Sequence, residues 1–253
     1  MSKVWTFTFS ESVENHRGMQ MLGSIAESGF TNNELLEIQI KCKALGYQTE
    51  LIDLNKILPE DTEKASVLVI RNALAKLLDE KSCLEFKKEI DGFEAIVDKK
   101  AFMYGRIVNK TARYNLCFAD QNQEPDYANK KGRIISFSEV PFLKKIRESL
   151  PVLLGPKAKD MFAELNYYYD INKCGIGYHG DTERKRVIGL RIGATMDLHY
   201  HWYKNNKRIG DGIKIALNNG DIYIMSDKAV GFDWKKSSIL TLRHAAGCKK
   251  FVD

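Results

Sequence analysis

The chain opens on a strict alternation. Between Lys3 and Ser10, Val4, Thr6 and Thr8 interleave with Trp5, Phe7 and Phe9, and a period of two predicts a strand whose two faces meet different surroundings. Thr31-Asn32-Asn33-Glu34 has the spacing of a capping box, in which a hydroxyl and a carboxylate satisfy the free amides of a first turn. The helix it starts is expected to reach about Leu45, where Gly46 stops it. Tyr47–Leu54 and Ser66–Arg71 read as strands and Asn72–Leu78 as a helix, so residues 1–95 read as a small α/β region without a phosphate-binding glycine motif.

From Phe102 the pattern changes to short apolar segments divided by turn signals. Helices are expected at Pro141–Leu150, where Pro141 suits a first turn that needs no amide donor, and at Lys157–Glu164. Seven short strands follow, at Tyr167–Asp170, Gly175–His179, Val187–Ile192, Leu198–Tyr203, Gly212–Leu217, Ile222–Ser226 and Ile239–Ala245, with Asn219-Gly220 among the turns. That spacing predicts an α+β protein whose C-terminal part is a sandwich or jelly-roll barrel.

Composition narrows the class. A chain of 253 residues with 44% apolar content is long enough for one large domain or two unequal ones. No run of apolar residues is long enough for a membrane span, and the alternating N-terminus does not read as a signal peptide. The five cysteines are odd in number and scattered, with no Cys-x-x-Cys pair, which argues against a disulfide framework or zinc site and fits a cytoplasmic or nuclear setting. The net charge of +6 is unevenly spread: residues 1–95 carry −5 and residues 96–253 carry +11. A basic half suits a polyanion such as DNA or RNA, and equally a lysine-rich solvated surface. This change of charge sets the expected boundary between an N-terminal region, residues 1–95, and a domain of residues 96–253. No signal of oligomeric state is present.

The chemistry concentrates late in the chain. His179-Gly180-Asp181 ends an expected strand, where residues two apart share a face and both side chains can reach one ion. His244 lies 63 residues beyond Asp181 and offers a third donor. Two imidazoles and one carboxylate on one side of Fe(II) leave open positions for a bidentate 2-oxo acid and for oxygen, the facial triad of non-haem iron oxygenases.

Asn166-Tyr167-Tyr168, followed by Ile176-Gly177-Tyr178-His179-Gly180-Asp181-Thr182-Glu183-Arg184, resembles the core of AlkB-like Fe(II)- and 2-oxoglutarate-dependent dioxygenases, in which an Asn-x-Tyr shortly precedes the His-x-Asp. The segments VIGLRIGATMDLHYHWY and GDIYIMSD resemble the strands that follow. The resemblance covers roughly residues 100–250 and is strongest over 166–194. It implies a double-stranded β-helix (jelly-roll) core with flanking helices, Fe(II) as the metal and 2-oxoglutarate as co-substrate. His179, Asp181 and His244 would form the catalytic metal centre. Asn166 and Tyr168 would hydrogen-bond 2-oxoglutarate, and Glu183 would contact a target base, with Arg184 beside it at the pocket mouth. The implied reaction is hydroxylation or oxidative demethylation of a DNA or RNA base taken out of its stack. The alternatives are the same chemistry on a protein side chain or small metabolite, and a non-catalytic binding module on the same barrel.

The C-terminal stretch departs from that family. A second His is expected a few residues after Gly220-Asp221, followed by a strand with two Arg six apart. Instead, IYIMSDKAVGFDWKKSSILTLRHAAG has no His near Trp234–Lys236, and Ser237 stands where the first Arg would be. Adjacent strand residues face opposite ways, so His244 and Arg243 compete for the interior. In one reading His244 points inward as ligand and Arg243 points away. In the other Arg243 faces the co-substrate. The first is expected, because the second leaves the ion with two protein donors; a bulge at Ala245–Gly247 would soften the conflict. With His244 inward, the cation for the far carboxylate of 2-oxoglutarate would be Arg191, whose planar fork matches a carboxylate, or Lys249 or Lys250. His199 and His201 share a strand face without nearby Cys and read as core or pocket-lining residues. His16 carries no assignment.

Overall fold

The computed structural model describes residues 2–56, 58 and 62–253. In chain order the strands are β1 (Val4–Ser10), β2 (Ser12–Glu14), β3 (Met21–Gly23), β4 (Gln48–Asp53), β5 (Ser66–Arg71), β6 (Lys100–Met103), β7 (Arg106–Asn109), β8 (Tyr114–Ala119), β9 (Ile134–Ser136), β10 (Phe162–Tyr168), β11 (Gly175–His179), β12 (Val187–Gly193), β13 (Met196–Lys204), β14 (Lys207–Leu217), β15 (Ile222–Met225) and β16 (Thr241–Gly247). The helices are α1 (Asn32–Ala44), α2 (Leu74–Leu77), α3 (Glu80–Phe93), α4 (Pro141–Leu154), α5 (Asp227–Val230) and α6 (Lys249–Val252).

The protein is a strand-rich α+β structure. One sheet has eight strands in the order β4-β5-β15-β12-β1-β10-β8-β9, and a second has four in the order β11-β16-β13-β14. The charge boundary at residue 95 runs through the larger sheet, because β1, β4 and β5 precede it while β15, β12, β10, β8 and β9 follow it. β1 is inserted between β10 and β12, antiparallel to both, with Thr6 opposite Asn166 on one side and Arg191 on the other.

The period-two patterns decide what each face carries. Trp5, Phe7 and Phe9 of β1, Leu165 and Tyr167 of β10, Ile188 and Leu190 of β12, and Ile222 and Ile224 of β15 join one core with apolar residues of α1, α3 and α4. The opposite face of β5, β12 and β15 (Val67, Val69, Val187, Tyr223, Met225) packs on Leu198, Tyr200, Trp202, Ile215 and Leu242 of the four-stranded sheet. The two sheets therefore face one another, with helices behind the larger one. Gly189 belongs to this arrangement, because a Cβ there would lie 2.0 Å from the Tyr223 ring.

The Thr31/Glu34 capping box is present in both directions, and Gly46 follows with φ 77°. One local expectation fails. Lys157–Glu164 was expected to be helical, but only a 3-10 turn at Pro156–Ala158 forms and β10 begins at Phe162. The helix-forming side chains there are overridden by pairing with β1 on one side and β8 on the other. α3 went unread, although Asp79 caps it by accepting from the Ser82 amide and Phe86, Ile90 and Phe93 recur at helical spacing on its buried face. No helix among the described residues is long and apolar enough to cross a membrane.

Candidate metal centre and pocket

β11 and β16 are antiparallel neighbours in which His179 stands directly opposite His244. Asp181 lies just past the end of β11, and its amide donates to the Val230 carbonyl at 3.1 Å. The link between them, Gly180, has no room for a side chain: an added Cβ would sit 2.1 Å from the Gly231 carbonyl oxygen and 2.8 Å from Trp234. Glycine thus lets the segment beside Asp181 pack directly on Gly231 and Trp234. Gly180→Ala is expected to lower stability by roughly 1–3 kcal/mol and to weaken divalent-ion binding with it. Urea melts and metal titrations check this, and wild-type values in both would show that the Gly231 segment yields without cost.

His179, Asp181 and His244 present ligand atoms that all lie within 4.8 Å of one another, the one such His/Cys/Asp/Glu grouping among the described residues. Asp181 Oδ1 is 3.6 Å from His179 Nε2 and 3.7 Å from His244 Nε2. Donors on adjacent octahedral positions ~2.1 Å from a first-row ion stand ~3.0 Å apart, so each His–Asp separation exceeds that spacing by roughly 0.6–0.7 Å. His179 Nδ1 lies 2.8 Å from the Gly177 carbonyl. A proton on Nδ1 leaves the Nε2 lone pair free for a metal. The donor set fits a divalent first-row cation, and it covers one side only.

Burial sets the protonation state. It holds His179 down at about 4 and His244 well below its ordinary value, the latter with help from His179. Burial together with the nearby Glu183 pushes Asp181 up to about 8. Near neutrality the rings are thus neutral and ready to coordinate, while Asp181 retains its proton. An incoming cation must displace that proton, so apparent affinity should climb about tenfold per pH unit from about pH 6 to about pH 8 and then level off. Manganese(II) titrations across that range check the slope. A plateau already reached at about pH 6 would mean that Asp181 titrates like an exposed carboxylate.

A cavity of about 300 Å³ opens from this triad between the two sheets. Of the residues expected to serve a co-substrate, Asn166, Tyr168 and Arg191 line it, and Arg243 and Lys250 do not. Arg243 lies on the outer face of β16, where its guanidinium sits 4.1 Å from the Tyr203 ring centre and 5.1 Å from that of Trp234. Lys250 is exposed on α6 with its ammonium near Phe251, and Lys249 pairs with Asp253 at 3.6 Å. The competition between neighbours on β16 is thus settled for the inward His244, and the irregularity of register falls on the facing strand, between Ile176 and His179 of β11.

Arg191 lines the cavity from the larger sheet; it is 1% exposed, and its Nε and Nη1 are buried without a hydrogen-bond partner. Thr6 Oγ1, on the neighbouring strand, is likewise buried and unpartnered. Burial pulls the Arg191 pKa below its ordinary value. Glu183 and Arg184 also reach the cavity, but Arg184 is buried and not at the mouth. It bonds Glu164 at 2.7 Å and Glu183 at 2.8 Å and comes within 3.6 Å of Asp181. Asn166 is similarly engaged, accepting from Arg113 at 2.5 Å and Asn115 at 2.9 Å.

Thr6, Thr8, Glu14, His16, Arg113 and Glu164 line the same cavity, and none was singled out for it from the sequence. The two threonines carried a signal: they are the polar members of an otherwise apolar strand, and a polar residue on a buried strand face needs a partner. His199 and His201 lie on the outer face of β13, opposite the inward Tyr200, and are covered there.

No protein-family model matches the chain. It is 47% identical over 251 residues to the uncharacterized protein R156 of Acanthamoeba polyphaga mimivirus, an alignment that covers 98% of this chain and 96% of the viral protein. The chain belongs to the family of that protein. The alignment spans both the N-terminal strands and the strands that bear the triad.

Proposed function

We propose that the protein is an Fe(II)- and 2-oxoglutarate-dependent dioxygenase acting on a nucleic-acid base. The reading rests on one observation: an open three-donor centre, with its histidines on the smaller sheet, and a buried, unpaired guanidinium on the larger sheet line one cavity. A ligand that chelates at one end and carries a carboxylate at the other answers both, and 2-oxoglutarate is such a ligand. With Fe(II) and oxygen it would supply the oxidising step, in which one oxygen atom enters a substrate C–H bond, the other enters succinate, and carbon dioxide leaves.

Within this reading the fold is a jelly roll. The seven strands β10–β16 need an eighth to make two facing layers of four, and β1 supplies it from the N-terminal end, between β10 and β12. β1 thereby carries Thr6 to the guanidinium of Arg191, and the two would hold the far carboxylate. Tyr168 and Asn166 shape the space between that anchor and the triad. Arg184 draws Glu164, Glu183 and Asp181 together and orients the carboxylate ligand. The sheets on either side keep bulk water from the reacting end.

The nucleic-acid assignment is supported by the basic balance of residues 96–253. The test is succinate release from 2-oxoglutarate with Fe(II) and ascorbate, with and without alkylated single-stranded DNA or RNA. Succinate formed in both cases, and faster with oligonucleotide, is the expected result. Binding of the oligonucleotide should also weaken steeply with added salt as counterions compete. Turnover without any response to nucleic acid would move the substrate to a protein or metabolite; absence of turnover under every condition would defeat the dioxygenase reading.

A further inference from the structure

Helix α1 is apolar on two faces. Leu35, Ile38 and Cys42 pack into the core behind the larger sheet. On the opposite side Leu36, Ile40 and Ala44 recur every fourth residue and form one stripe along the helix, and all three are exposed. A helix with one buried face ordinarily carries charged and polar groups on the other. α3 and α4 follow that rule, the first exposing Lys81, Lys87, Lys88 and Asp91 and the second Lys144, Lys145 and Glu148. α1 departs from it: Ile40 is 62% exposed, Leu36 47%, and Leu45, at the end of the helix, 57%.

The stripe is widened by a neighbour. Lys41 donates to the Val152 carbonyl at 2.5 Å, which brings the end of α4 alongside α1, and Val152 is 75% exposed. Lys157, just beyond α4, pairs with Glu34 in the first turn of α1 at 2.7 Å. The two segments are therefore fixed to one another at both ends of the contact. An apolar surface already rigid in the single chain loses little conformational freedom when it is covered.

The charges beside the stripe decide what fits it. Glu37 and Lys41 lie one turn apart on the flank nearest α4 and bracket Ile40 in the sequence. Among the described residues neither makes an ion pair, with the other or with a third group, whereas Glu34 is taken by Lys157. A flank that is acidic before its centre and basic after it is complementary to itself. A two-fold axis at Ile40 turns a second copy of α1 antiparallel, lays stripe on stripe, and brings Glu37 of each copy to Lys41 of the other. An anionic membrane, in contrast, would be repelled by Glu37.

We propose that the protein forms a two-fold dimer through antiparallel α1 helices, with Val152 of each copy at the rim of the contact. The helices lie behind the larger sheet, and the cavity opens on that sheet's other face, so both cavities stay open in the dimer. One pair of helices buries less than a standard interface, so association is reversible, with a dissociation constant on the order of 10 μM. The dimer does not depend on the dioxygenase reading.

Sedimentation velocity of the full chain, over about a hundredfold range of concentration around that value, tests the pairing. Wild type should pass from monomer to dimer as concentration rises. Ile40→Asp places a charge at the centre of the contact and should raise the dissociation constant at least about tenfold. Dilute Ile40→Asp should melt where dilute wild type does, because the side chain is exposed. Glu37→Lys and Lys41→Glu supply the second arm. Each alone sets like charges against one another across the axis and should weaken self-association about threefold or more, while an equal mixture of the two regains opposite charges and should form a mixed dimer of near wild-type affinity. Monomer at every concentration overturns the dimer and leaves the stripe to a different protein. A dimer that Ile40→Asp leaves intact, or a mixture that associates no more tightly than its components, overturns the antiparallel α1 contact.

Discussion

Arg191→Met is expected to melt higher than wild type when no ligand is present, and to bind 2-oxoglutarate at least about a hundredfold more weakly. The two effects have one cause. Arg191 is a nearly fully buried cation with two unpartnered N–H groups, and replacing an uncompensated buried charge with an apolar side chain of similar length removes a desolvation penalty. The same charge is what a buried carboxylate would meet, and losing one partner of such a pair costs roughly 2–5 kcal/mol. Thermal melts of the two proteins and calorimetric titration with 2-oxoglutarate plus manganese(II) check both halves. Metal affinity should remain near wild type, since Arg191 is on the larger sheet and the histidines of the triad are on the smaller one. A lower melting temperature with unchanged 2-oxoglutarate affinity would make Arg191 a structural residue and remove the anchor from the proposal.

The second large effect concerns β16. His244→Ala should weaken divalent-ion binding more than about a hundredfold, since even groups that only support a metal ligand are worth 10- to 100-fold. Any metal-dependent succinate release should disappear with it. The neighbouring Arg243→Ala should bind metal normally and lose about 1 kcal/mol of stability, because its guanidinium stacks on Tyr203 and Trp234 outside the cavity. Metal titration of the two variants side by side gives the result. Comparable metal loss in both, or in neither, would mean that the facing of these two residues does not govern the centre. His179→Ala should match His244→Ala, because the two rings occupy equivalent places on paired strands.

Much of the local structure was legible because it has local causes. The alternation from Val4 to Phe9 specified a strand with unlike faces, and Thr31 with Glu34 specified a helix start. The spacing of His179-Gly180-Asp181 put two donor types on one strand face, the resemblance around them pointed to a metal, and the rule that strand neighbours face apart reduced Arg243 and His244 to a single choice. The sequence by itself thus determined which residue types had the chemistry and which faces their strands would offer. It did not determine partners. That β1 lies between β10 and β12, joining Thr6 to Arg191, is a pairing across more than 150 residues of chain with no local signature. The same long-range pairing made a strand of Phe162–Tyr168, whose first residues favour a helix when taken alone. Which of two inward-facing choices β16 takes was likewise decided only when sheets closed on one another. Periodicity is set by a residue's immediate neighbours along the chain, whereas a pocket is set by which distant faces meet, and only tertiary packing chooses those.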